Sequence, residues 1–147
     1  MRRAERLQRL LVVRRVFEHV ERRKLQGALT SVTQVEAALD EQAQAIDNVK
    51  VASANSLGNS NHDEWLFAEA QMEIAGWNRS RLMPILEMRR ALIPQTTADY
   101  LERHLEVQQV EHLVEHVASL QRRDQERHAQ AVSDDCLLAR IAAKRRQ

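Results

Sequence analysis

The chain has 147 residues, with three Gly, two Pro, one Cys and a near-balance of 22 basic and 21 acidic residues. The lone Cys136 excludes an internal disulfide and points to a reducing compartment. No apolar run approaches the ~20 residues that span a bilayer, and the patch at residues 10–13, bounded by Arg9 and Arg14, is too short for a secretory leader, so a cytoplasmic protein is expected.

Ala, Glu, Leu, Gln and Arg dominate, residues that lose little rotamer freedom in a helix. Aromatic side chains are confined to Phe17, Trp65, Phe67, Trp77 and Tyr100, too few to fill a round core of this size. A thin seam between helices is the expectation. Charge is unevenly spread. Residues 1–25 hold nine basic and three acidic residues, and residues 26–75 hold one basic and eight acidic ones. That pattern suits either solvated helix faces or two ends meeting differently charged partners.

Residues 2–53 contain nothing that stops a helix, since Gly27 costs only ~1 kcal/mol relative to Ala. Apolar residues follow a 3-4 spacing, first at Leu10, Val13, Phe17 and Val20. A second run follows at Leu25, Ala28, Val32, Val35, Leu39, Gln42, Ile46 and Val49. This is coiled-coil spacing, with a phase slip expected over Glu21, Arg22, Arg23 and Lys24. A helix of ~50 residues would be ~75 Å long. Residues 54–61 are small, polar and contain Gly58, and so predict a loop. Asn61 then offers an N-cap, with Glu64 in the capping-box position.

A second helical arm is expected over residues 62–145, with Trp65, Leu66, Ala70, Ile74 and Trp77 along one side. Pro84 and Pro94 predict a kink or break. Val110, Leu113, Val117 and Leu120 resume the 3-4 pattern, which loses its apolar character from 121 to 128 and recovers it at Leu138 and Ile141. Ser133, Asp134 and Asp135 suit either continuation of the helix or the cap of a short final one. The fold class that follows is all-α: one elongated antiparallel coiled-coil helical hairpin, whose longer second arm leaves the C-terminal segment overhanging.

Catalytic chemistry finds little support. His112, Glu115 and His116 spell an inverted zinc-peptidase motif, but its two His flank the seam toward solvent, only 31 residues follow in which a further acidic ligand could stand, and a two-helix seam offers no cleft. No metal, cofactor or catalytic residue is therefore expected. His19, His62, His104 and His128 are expected at the surface, and Cys136, beside Leu137 and Leu138, as a buried inert thiol. Three isolated Gly make no phosphate loop. The basic residues near the start lack any base-reading element, so nucleic-acid binding is not expected. Trp65, Leu66 and Phe67 are consecutive and cannot all face one seam, which leaves at least one to cover the loop or anchor a partner.

The opening, from Arg2 and Arg3 through Arg6, Leu7, Arg9, Leu10, Leu11, Val12 and Val13 to Arg14, resembles the N-terminus of YscO-like stalk proteins of type III secretion systems. Asp134, Asp135, Cys136, Leu137, Leu138 and Arg140 resemble the acidic pair, apolar residues and Arg near their C-termini. The length, the break near Gly58 and Trp65 soon after it are similar to the flagellar FliJ-like relatives. Pro84 and Pro94 depart from the uninterrupted second helix of that pattern. The resemblance implies a non-catalytic, monomeric hairpin that is cytoplasmic and peripheral to an inner-membrane secretion apparatus. Such a stalk links a hexameric secretion ATPase to the membrane export gate, with secretion chaperones as further partners and no membrane insertion. It also implies a basic ATPase-binding end of Arg2, Arg3, Arg6, Arg9, Arg14, Arg15 and Arg140, and a gate-binding end of Trp65, Leu66 and Phe67. The competing reading is a generic coiled-coil scaffold or homodimer with no part in secretion.

Overall fold

The computed structural model describes residues 2–58 and 62–145, apart from the Arg2 side chain. The expected Asn61 cap and the basic residue Arg146 lie outside the described residues. Two helices account for all of them: α1, Arg2–Gly58, and α2, His62–Arg145. They pack side by side in opposite directions. Arg14 meets Glu106, Arg22 meets Tyr100 and Arg89 meets Ser31, so positions rise on one helix as they fall on the other. The all-α helical hairpin is therefore present.

The two chain breakers behave differently from expectation. Helix α1 continues to Gly58, through residues 54–58 that were expected to form a loop. The cause is packing. Ser56 is buried, and its hydroxyl donates to the Ala52 carbonyl at 2.7 Å, so its polar group is satisfied within the helix. Helix α2 runs unbroken through Pro84 and Pro94. Both prolines are exposed, as are Ser80 and Arg90, the residues whose carbonyls lose a helical donor. Water can satisfy those carbonyls, which makes proline tolerable on the outward face.

The inward row of α1 is an unbroken 3-4 series of buried and half-buried residues: Ala4, Leu7, Leu11, Arg14, Glu18, Glu21, Leu25, Ala28, Val32, Val35, Leu39, Gln42, Ile46, Val49, Ser53 and Ser56. From Leu25 on, this matches the sequence reading. Upstream it does not, and the expected phase slip is absent. Leu10, Val13, Phe17 and Val20 lie beside the row and are exposed, while Arg14, Glu18 and Glu21 occupy the seam. On α2 the row runs through Trp65, Ala68, Met72, Ala75, Leu82, Leu86, Arg89, Ile93, Thr96, Tyr100, Arg103, Val107, Val110, Val114 and Val117. The expected members Leu66, Ala70, Ile74, Trp77, Leu113 and Leu120 face outward.

The chain divides into two compact units. Unit 2, His19–Leu101, holds the better apolar packing, where Val32, Val35 and Leu86 form a buried cluster with Leu39, Leu82 and Ile93 against it. Toward residue 58 its seam turns to small residues, with Ala68, Ala75 and Ser56 buried. Arg90 pairs with Glu36, and Arg22 lies over the Tyr100 ring at 5.7 Å. Unit 1, Met1–Glu18 with Glu102–Gln147, buries only Val107, Val110 and Glu18 among its described residues.

With so narrow a core, the inward row decides stability. Leu86, 4% exposed, should lose ~2–3 kcal/mol on substitution by Ala. Trp77, larger but 68% exposed, should lose under ~1 kcal/mol by the same change. Urea unfolding followed by circular dichroism measures both, and the reverse order would contradict the assigned rows.

Candidate functional site

Unit 1 sets a group of ion pairs and polar contacts beside its buried Val107 and Val110. Arg14 Nη1 donates to Glu106 Oε2 at 2.6 Å, and Arg103 Nη1 reaches the same oxygen at 3.0 Å. One turn along α1, the buried Glu18 places Oε1 2.8 Å from His104 Nδ1. Arg15 Nη2 donates to Glu111 Oε1 at 2.7 Å on the exposed flank. The hydrogen bond from Arg103, helped by the positive charge of Arg14, holds the Glu106 carboxyl below the usual carboxylate range despite the opposing effect of desolvation. No buried side-chain polar atom among the described residues lacks a partner.

This polar layer has a consequence for the neighbouring apolar residues. Because Arg14 and Glu18 fill the inward row, Leu10, Val12, Val13, Val16 and Phe17 are all left exposed within unit 1. Phe17, 48% exposed, lies under the Arg103 guanidinium at 5.6 Å. On α2 of the same unit, Leu105, Leu113 and Leu120 are exposed as well. Large exposed apolar groups rimmed by charge mark interaction surfaces. The sequence reading assigned most of them to the seam. The signal that could have placed them was the heptad register of residues 25–49: extended backward without a slip, it passes through Arg14 and Glu18.

The expected basic residues divide into two sets. Arg3, Arg6 and Arg9 are exposed on α1, and Arg140 is exposed on α2. Arg14 and Arg15 are engaged with Glu106 and Glu111. They therefore serve the hairpin's own packing. The Arg2 side chain lies outside the described residues.

At the other proposed site, in unit 2, Trp65 is half-buried in the row and stacks on His62, ring centroids 5.9 Å apart. Leu66 and Phe67 are exposed. Phe67 also edges a surface groove lined by Val49, Ala52, Ser56 and Ala68. The three consecutive residues thus split as helical geometry demands, one inward and two outward.

Four further residues sit differently from expectation or carry chemistry. Cys136 is exposed, since α1 places nothing against Leu137 and Leu138 to form a pocket around it. His104 is half-buried in the seam, drawn there by Glu18. His112 and His116 point to solvent, with His112 Nδ1 3.9 Å from Glu115 Oε2. No group of three or more His, Cys, Asp or Glu side chains able to hold a metal occurs among the described residues. No helix among them is long and apolar enough to cross a membrane.

The chain matches no protein-family model, no curated protein and no solved structure.

The lowered Glu106 pKa gives unit 1 an acid-sensitive fastening. A carboxylate whose folded pKa is depressed adds stability that is present above its unfolded value and is lost as pH falls through the folded one. Thermal melts near neutrality should therefore show wild type above Glu106→Gln. The gap should close once the pH drops below the carboxylate range. A gap that persists in acid would remove this ion pair from the account.

Proposed function

We propose that the protein is a non-catalytic docking stalk of a type III protein secretion or flagellar export apparatus, cytoplasmic and peripheral to the inner membrane. Its unit 1 binds the hexameric secretion ATPase, and the outward face near Trp65, Leu66 and Phe67 meets the export gate. Secretion chaperones are further partners. The observation that carries this reading is the uncovered apolar face of unit 1, from Leu10 to Phe17, set among the exposed Arg3, Arg6 and Arg9. A helix face of that makeup suits an acidic, partly apolar socket: hydrocarbon supplies affinity and the Arg side chains supply steering. Helical hairpin architecture, the antiparallel return of α2 and the sequence resemblance of both chain ends to YscO-like proteins support the same reading.

The structure also selects the residues to change. Arg14→Glu or Arg15→Glu would disturb the hairpin itself, because each is paired with α2. Arg6→Glu with Arg9→Glu, and separately Val13→Glu, alter exposed positions instead. Each should weaken capture of the cognate secretion ATPase by about tenfold, or ~1.4 kcal/mol, with helical content unchanged. Met88→Glu, on the exposed face of unit 2, should bind the ATPase as wild type does. Full ATPase binding by both unit 1 variants would remove the docking assignment.

A further inference from the structure

Every residue of α2 from 121 to 145 is exposed, with no residue of α1 opposite it. On this overhang, helical periodicity places Leu137, Leu138 and Ile141 on one face, and all three are exposed. Asp134 stands one turn before them on that face, and Lys144 and Arg145 one turn after. The face therefore reads acid, hydrocarbon, base along the helix, with Arg140 at the edge of the hydrocarbon section. Asp134 accepts a hydrogen bond from Gln130 at 3.1 Å. A shallow groove lined by Leu137, Arg140, Ile141 and Lys144 follows the apolar section.

From this segregation we infer that the overhang pairs with the same face of a second copy of the chain, antiparallel. Turning one helix end for end brings Asp134 opposite the second copy's basic end and its own basic end opposite the second copy's acid. Leu138 and Ile141 then meet across the twofold axis. A parallel pair would set acid on acid and base on base at both ends, which is unfavourable. An isologous contact of this kind closes on itself as a dimer instead of extending into a fibre. The pairing is weak, because about three turns of helix bury less than the ~1,200 Å² of a stable interface. It does not depend on the ATPase reading: the face at 134–145 is distinct from the Leu10 to Phe17 surface, and the test below contains no ATPase.

The test is sedimentation equilibrium of the full-length chain at low salt, over concentrations spanning an expected dissociation constant on the order of 100 µM. Wild type should show reversible dimerisation. Ile141→Glu should raise the dissociation constant about tenfold or more, with helicity unchanged because Glu is at least as good a helix former as Ile. Asp134→Arg alone should also weaken the dimer. Combining it with Arg145→Asp should restore wild-type affinity, since the opposed charges are exchanged and remain opposite. A chain that stays monomeric across the range, a dimer indifferent to Ile141→Glu, or a double exchange that fails to restore association would each overturn the proposal.

Discussion

The seam between α1 and α2 is one 3-4 row wide on each helix, edged by a few flanking ion pairs such as Arg15 with Glu111 and Arg90 with Glu36. A third layer would let a polar residue retreat from the centre and a larger neighbour take its place. Here a residue either meets its counterpart across the row or faces water. At Val32, Val35 and Leu86 the row is filled with hydrocarbon. At Arg14 and Glu18 it is polar, and Glu106 and His104 reach these two side chains from α2. Ion pairs at a seam add little net stability compared with a hydrocarbon of equal size, but a shift of register would separate all of them at once. The polar section thus fixes the alignment of the arms, and the apolar section supplies most of the cohesion.

That division of labour explains where the exposed apolar residues lie. In unit 1 the charges occupy the inside, and Leu10, Val13 and Phe17 sit one position around the helix from where a simple coiled coil would hide them. The arrangement is costly for an isolated chain and useful for one that docks. In unit 2 the buried positions near residue 58 are the small Ser56, Ala68 and Ala75, and the bulky Phe67, Ile74 and Trp77 are turned outward. Each unit therefore keeps a modest interior and presents larger side chains to its surroundings.

Much of the fold was legible in the sequence because helix formation here depends on composition and spacing, both local properties. The hairpin, the register from Leu25 to Val49 and the lack of strand among the described residues all follow from the heptad pattern and the scarcity of Gly and Pro. Hydrophobicity alone misplaced the seam where Arg14 and Glu18 enter it. Their partners, Glu106 and His104, lie some ninety positions away, and no local rule reveals them. At Pro84 and Pro94 a kink or a break was expected, and the break is absent for a related reason: the cost of proline depends on which side of the helix it occupies, and that is settled by the partner arm. The same distinction governs the candidate site. Arg6 and Arg14 are alike in sequence, but only the second is committed to a carboxylate within the chain.

The overhang has one consequence that the packed part of the hairpin does not share. From residue 121 onward α2 has no neighbour, so its helicity there rests on intrinsic propensity and on local pairs such as Gln130 with Asp134. A single helix of this length lies close to the helix–coil balance point in water. Whatever grips it must also hold it wound, and the strength of the grip includes the free energy of winding. Residues such as Ala142 and Ala143, without large side chains of their own, then tune association through their effect on the unbound segment. Affinity at this end of the chain becomes adjustable from positions that no partner needs to touch.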